Sequence, residues 1–187
     1  SKNAIEEIRQ NRREAFPMPS FDLITPVSYE DKVAQFVAVA QQVGARAEIL
    51  ETRADINTLI KSVYPEASVI ASSLPYIDAT LNPDVVADAK DLNGTDVGVV
   101  EGEVAVAENG CVWVPQTMKE RAVLFISESL VIIIDKNNIV NNMHEAYAGI
   151  KTDGYGCFIS GPSKTADIAQ ALVMGAQAAR DVLYIIK

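Results

Sequence analysis

Residues 130–134 read Leu130-Val131-Ile132-Ile133-Ile134, an unbroken apolar run that is β-branched after its first position. A strand with one wet face alternates apolar and polar side chains, whereas an unbroken run must be covered on both faces, the condition of a central strand in a parallel sheet. Val182-Leu183-Tyr184-Ile185-Ile186 is a second run of this kind, and Ser68-Val69-Ile70-Ala71 and Ala45 to Leu50 read as shorter strands. Between them lie helical stripes. Tyr29 to Val43 carries Val33, Phe36, Val37 and Ala40 at helical spacing, with Gly44 where a left-handed cap belongs. Ile56, Leu59, Ile60 and Val63 mark another helix, which Pro65 ends. The alternation predicts an α/β fold with a mixed, largely parallel sheet covered by helices.

The middle of the chain departs from this rhythm. From Asp96 to Ile134 the runs are strand-like, and Asn109-Gly110 is the clearest turn signal. Flanked by Val104 to Glu108 and Cys111 to Val114, it predicts an inserted β-hairpin with a type I′ turn that pairs Glu108 with Cys111. That register puts Val106 and Trp113 on one face and Ala105, Ala107, Val112 and Val114 on the other, so both faces are buried. After the 130–134 strand a helix is expected to carry Ile139, Val140, Met143, Ala146 and Tyr147. Cys157-Phe158-Ile159 reads as a strand, Gly161 to Thr165 as a turn, and Ala166 to Ala179 as a helix. Residues 1–20, a weak apolar stripe running into Pro17 and Pro19, form an N-terminal helical arm; residues 21–187 form one domain.

Composition narrows function. With 187 residues, 49% hydrophobic and 22% charged, the chain is that of a soluble globular protein and not a disordered one. A net charge of −9 repels phosphate backbones, and Arg9, Arg12 and Arg13 are interleaved with Glu6, Glu7 and Glu14, so no nucleic-acid partner is expected. No run approaches the roughly 18–20 apolar residues of a spanning helix, so no membrane insertion is expected and a cytoplasmic location is the default. Cys111, Cys157 and His144 are poor material for a zinc site or an all-cysteine iron–sulfur cluster. No metal is expected in this chain, and both thiols are expected to be reduced.

The unit from Gly161 to Asp167 is the most informative for chemistry. Gly161 permits close approach, Ser163 and Thr165 offer hydroxyls, Lys164 adds a charge, and a helix starting there presents free N–H groups to an anion. It has neither Walker A nor Rossmann spacing. Plain helix capping by Ser163 or Thr165 is the competing explanation. Glu108 is the candidate catalytic group: buried beside Cys111 its pKa would rise and suit it to proton transfer or nucleophilic work, whereas an exposed turn carboxylate would have no such role. Arg121, ahead of a strand-like run, and Arg180, ending a helix, could each orient a carboxylate or phosphate. His144 reads as a surface residue, and Trp113 and Cys111 as core.

Gly102 to Val114 with its Ala107-Glu108-Asn109-Gly110-Cys111 turn, Arg121, the 130–134 strand and above all Phe158-Ile159-Ser160-Gly161-Pro162-Ser163-Lys164-Thr165-Ala166-Asp167-Ile168 resemble the lactate-utilization protein C family, the LUD domain family. The resemblance covers about the last hundred residues well and implies a ribose-5-phosphate isomerase or CoA-transferase type of fold, making 21–187 a LUD-type domain. It also implies a role in oxidising L-lactate to pyruvate, with iron–sulfur clusters carried by sibling partner subunits and no established catalytic residues in the protein C member. Two departures stand out. The family's Glu-Thr-Gly-Thr turn is here Glu108-Asn109-Gly110-Cys111, and its Gly-x-His-Gly-Pro-Arg stretch is Gly175-Ala176-Gln177-Ala178-Ala179-Arg180, without the histidine. Two functions follow as expectations: an accessory subunit of an iron–sulfur lactate oxidation system, or a stand-alone isomerase, transferase or hydrolase acting on a small anionic substrate.

Overall fold

The computed structural model describes residues 2–11, 16–17, 19–20, 24–151, 153–165 and 171–187. The 130–134 run sits in β6 (Ser129–Ile134), at the middle of a parallel sheet. Among the described residues that sheet has the order β1-β11-β6-β3-β2, with β1 at Arg46–Ile49, β2 at Ile70–Ala71, β3 at Val97–Glu101 and β11 at Asp181–Ile186. The register runs Val99↔Val131 and Leu183↔Val131, so β6 is paired on both edges as well as covered on both faces.

The two-residue period sorts these strands into two cores. Val97, Val99, Val131, Ile133, Leu183 and Ile185 pack under α3 (Ile56–Val63) through its buried Ile56 and Ile60. Val100, Leu130, Ile132, Ile134, Val182, Tyr184 and Ile186 face the other way, toward Ala105, Val112, Val114 and Ile139 and toward Phe36 and Ala40 of α2 (Lys32–Gln42). Each fully buried aliphatic side chain contributes about 1.5–3 kcal/mol. Asp31 caps α2 by accepting the Val33 and Ala34 amides, and Gly44 has the expected left-handed backbone at φ 88°.

The inserted hairpin is the centre of a second sheet. β4 (Val104–Val106) and β5 (Cys111–Pro115) pair antiparallel, and the described residues add β7 (Ile139–Val140) and β8 (Gly156–Ile159) in the order β7-β4-β5-β8. The second sheet therefore covers one face of the parallel sheet, and α5 (Met143–Gly149) closes its far side through Ala146 against Val106 and Cys111. α1 (Lys2–Gln10) lies in the N-terminal arm with Ile5 and Ile8 exposed.

Several local expectations are corrected. The hairpin register is Val106↔Cys111, not Glu108 with Cys111, and the connection is a four-residue loop, 107–110, closed by the Gly110 amide donating to Val106 C=O. The reason is β7: the Ala107 and Glu108 amides donate to Val140 and Asn141 carbonyls, extending β4 on that edge while it leaves β5. A slip of two residues keeps every side chain on its expected face. Ile139 and Val140 belong to β7 and not to a helix, because Asn142 accepts the Glu145 amide and so starts α5 only at Met143. Residues 123–126, expected as strand-like, form the short helix α4 (Val123–Ile126).

The helix expected over 166–179 is also corrected. Residues 166–170, Asp167 among them, lie outside the described residues; from 171 to 179 there is no helix. Instead β9 (Lys164–Thr165) pairs antiparallel with β10 (Val173–Met174), and Gly175, left-handed at φ 75°, turns the chain back. The alanine-rich composition favours helix only weakly, and tertiary pairing overrides it: the Ser163 amide donates to Ala179 C=O and the Gly175 amide to Ser163 C=O.

Candidate functional site

The loop 160–164 is fixed from beneath by the parallel sheet. Tyr184, fully buried on β11, accepts the Gly161 amide at 2.9 Å and donates its phenol proton to Ile159 C=O at 3.0 Å. Burial pushes the Tyr184 phenol well above its ordinary range, so it stays a neutral donor and acceptor. Gly161 is left-handed at φ 66°, and a Cβ there would come within 2.8 Å of the Val43 carbonyl oxygen. The loop thus lies directly on the C-terminal end of α2.

The 107–110 loop packs beside it. Ser160 Oγ donates to Asn109 C=O at 3.0 Å, and a Cβ at Gly110 would meet the Ala40 nitrogen at 3.1 Å. Asn109 Oδ1 accepts the Cys111 amide at 3.1 Å, which closes the turn with a side-chain oxygen. The structure therefore brings Glu108, Gly161, Ser163, Lys164 and Thr165 onto neighbouring segments around the end of α2.

The two charged side chains among them are engaged with protein groups. Lys164 Nζ donates to Val43 C=O, placing a cation at the negative end of α2. Glu108 is exposed, not buried beside Cys111, and its Oε2 accepts the Met143 amide at the start of α5 at 3.1 Å. With no helix observed over 171–179, the described residues offer no helix N-terminus behind Lys164 for an anion. Arg180 forms an ion pair with Glu128 at 2.8 Å. Arg121 lies over the Tyr155 ring at 4.4 Å and reaches Gln116 Oε1 at 3.4 Å, at the end of β5 opposite the 107–110 loop. The five residues of β5 lie between those two places, about 20 Å from Gly110 to Gln116 at roughly 3.3 Å per residue.

Sequence reasoning missed one constellation. Glu101 ends β3 at the carboxyl edge of the parallel sheet, where α/β proteins place ligands, and its Oε1 accepts Tyr76 Oη at 2.5 Å and Lys187 Nζ at 3.1 Å. Arg53 lies over the Tyr76 ring at 5.3 Å. Burial pushes the Glu101 carboxyl up, but the hydrogen bonds from Tyr76 and Lys187 outweigh it and hold the group below its ordinary value. The available signal was a single charge closing the apolar run Val97-Gly98-Val99-Val100.

The remaining chemistry-bearing residues are inert or remote. Cys111 and Cys157 are free thiols; burial pushes Cys111 up to about 12, which keeps it protonated and non-nucleophilic at neutral pH. His144 is exposed on α5. Among the described residues no group of three or more His, Cys, Asp or Glu is arranged to hold a metal ion, and no helix is long and apolar enough to cross a membrane.

A parallel sheet backed by a second, mostly antiparallel sheet, with a glycine-anchored loop seated on a helix end, defines an α/β scaffold of two stacked sheets. The same scaffold occurs in a DUF162 family protein from Deinococcus radiodurans, with a TM-score of 0.66 at 15% identity, covering 86% of this chain and 99% of that one. The chain belongs to the LUD domain family, whose model matches residues 78–186. It is similar to lactate utilization protein C of Oceanobacillus iheyensis, 31% identical over 100 residues, or 49% of this chain and 43% of the relative. Lactate utilization protein C of Shouchella clausii is 34% identical over 99 residues, with the same coverage of 49% and 43%. Lactate utilization protein C 1 of Bacillus mycoides is 32% identical over 108 residues, covering 53% and 46%. The matched part thus spans less than half the length of each of these curated relatives.

Proposed function

We propose that this chain is an accessory component of a lactate-utilization system, acting in the cytoplasm beside iron–sulfur partner proteins that carry the electrons as L-lactate is oxidised to pyruvate. The observation that carries this reading is the LUD match over residues 78–186 together with relatives named for lactate utilization. The site geometry supports it. Glu108, Lys164 and Arg180 are bound to the Met143 amide, the Val43 carbonyl and Glu128, and Arg121 stands at the other end of β5, so the groups a stand-alone isomerase, transferase or hydrolase would need do not converge on one reaction centre.

Oxidising a hydroxyl to a carbonyl releases two electrons and two protons, and this reading places the electron acceptor in the partner chains. Size-exclusion chromatography of the full chain mixed with cluster-bearing partners at micromolar concentration tests it: co-elution in fixed proportion is expected, and separate elution of every component contradicts it. Glu108→Gln is expected to leave lactate oxidation by the assembled system unchanged; loss of turnover with the complex intact would return Glu108 to a catalytic role and favour the stand-alone enzyme.

A further inference from the structure

The parallel sheet has two edges, and the chain covers one of them. Beyond β2 the chain folds back: Leu81 bridges Ala71, its amide donates to Ile70 C=O at 3.0 Å, and its carbonyl accepts the Ser72 amide at 3.0 Å. β1 forms the opposite edge, and among the described residues it pairs with β11 alone. The Leu50 amide donates to Ile186 C=O at 2.8 Å. Bonding residues alternate in a parallel ladder, so Arg46, Glu48 and Leu50 turn their backbone groups toward β11, and Ala47 and Ile49 turn theirs outward. Arg46 and Glu48 are exposed, and Ile49 is 57% exposed. An open edge of this kind is a template for another strand.

The charge pattern of this edge is self-complementary. Arg46 and Glu48 project from one face of the sheet, the face of their partners Leu183 and Ile185. Two copies of β1 meeting antiparallel across a two-fold axis set side chains of the same face opposite each other, so the axis falls on a residue. An axis at Ala47 places Arg46 opposite Glu48 of the second copy, twice by symmetry. It also sets Ala47 opposite Ala47, where the outward amides and carbonyls exchange two hydrogen bonds, and exposed Ile49 opposite the small Ala45. An axis at Glu48 sets two carboxylates directly against each other, and one at Ile49 sets Glu48 against Leu50, so both are disfavoured. Glu48 has no ion-pair partner among the described residues. Arg46 pairs with Asp181 and lies 5.0 Å over the Tyr64 ring, and its five N–H donors leave room for a second carboxylate.

We propose that β1 docks on β1 of a second copy of this chain, centred on Ala47, and joins two five-stranded sheets into the continuous sheet of a homodimer. Opposite charges two residues apart on an open edge select this partner and this register, where like charges would close the edge to a second copy. A strand of four residues buries little area, so the dimer is weak and forms at micromolar or higher concentration. The proposal does not rest on the lactate-utilization role.

Sedimentation equilibrium of the full chain over roughly 1–500 μM is expected to show a monomer–dimer equilibrium. Ala47→Pro removes an amide that faces away from β11, as proline on an edge strand allows, and should leave a monomer throughout. Glu48→Lys sets like charges opposite Arg46 of the second copy at both symmetric positions, and should raise the dissociation constant by about tenfold or more. Both variants should keep the far-UV circular dichroism of the parent. In the parent, amide hydrogen exchange at Ala47 should slow as concentration rises, while at Glu48, bonded to β11, it stays constant. That reading needs no variant, so it decides the matter should either substitution unfold the chain. A parent monomeric at every concentration, a dimer that survives either substitution unchanged, or Ala47 exchange indifferent to concentration overturns the interface.

Discussion

The phenol of Tyr184 accepts the amide proton of Gly161 across 2.9 Å, joining the central strand β11 to the loop that carries the most family-specific run of the chain. Tyr184 is fully buried and also donates to Ile159 C=O. Removing its oxygen leaves the Gly161 amide and the Ile159 carbonyl without this partner. Tyr184→Phe is therefore expected to lower unfolding free energy by about 1–3 kcal/mol in urea titration with far-UV circular dichroism unchanged. An unaltered midpoint would show that the contact does not hold the loop.

Gly161→Ala tests the same anchor from the other side. At φ 66°, with the Val43 carbonyl oxygen 2.8 Å from the Cβ position, the added methyl is both strained and obstructed. A loss of more than about 1 kcal/mol is expected. The control is Gly94→Ala, also at positive φ but with nothing within 4 Å of its Cβ, which should cost less.

Acid stability should depend on Glu101. Its folded pKa lies below its ordinary value of 4.5, the hydrogen bonds from Tyr76 and Lys187 outweighing burial. A depressed carboxyl contributes stability that is fully present above the unfolded value and is lost as pH falls through the folded one. Glu101→Gln is thus expected to be less stable than the parent at neutral pH, with the gap narrowing below about 4.5. Asp96 and Glu145 are held low by backbone amides as well, so part of the acid limb must survive the substitution. A gap constant across that range would contradict the assignment.

Thiol chemistry offers another test. Burial pushes Cys111 up to about 12 and raises half-buried Cys157 as well. Native protein at pH 8 is expected to react with iodoacetamide far more slowly than the same chain in denaturant, Cys111 most of all, as read by mass spectrometry of each cysteine peptide. Rapid native alkylation of Cys111 would mean that the β4–β5 layer opens readily.

The layered core was legible because burial on both faces leaves a one-dimensional trace: the short, β-branched-rich apolar runs 130–134 and 182–186 read as interior strands, and both are. Side-chain faces of the hairpin were legible too, since a register error of two residues preserves parity. What the sequence concealed depended on distant partners. Ile139 and Val140 fit a helical stripe as well as a strand, and only pairing with Ala105 and Val106 decides between them. Residues 171–179 have helical composition, yet Lys164 and Thr165 recruit Val173 and Met174 into a ribbon. The candidate site suffered from the same limit. Charged residues were visible, but the groups that occupy them, a helix-end carbonyl for Lys164 and Glu128 for Arg180, belong to other parts of the chain.

The proposed role places this chain within a lactate-oxidising assembly and not alone. Its most direct test is affinity purification of the tagged full-length protein from its native host grown on lactate, with every retained protein identified by mass spectrometry. Recovery of cysteine-rich iron–sulfur proteins in near-stoichiometric amounts is expected. Recovery of this protein alone would contradict it and assign the scaffold to an independent small-molecule enzyme or sensor.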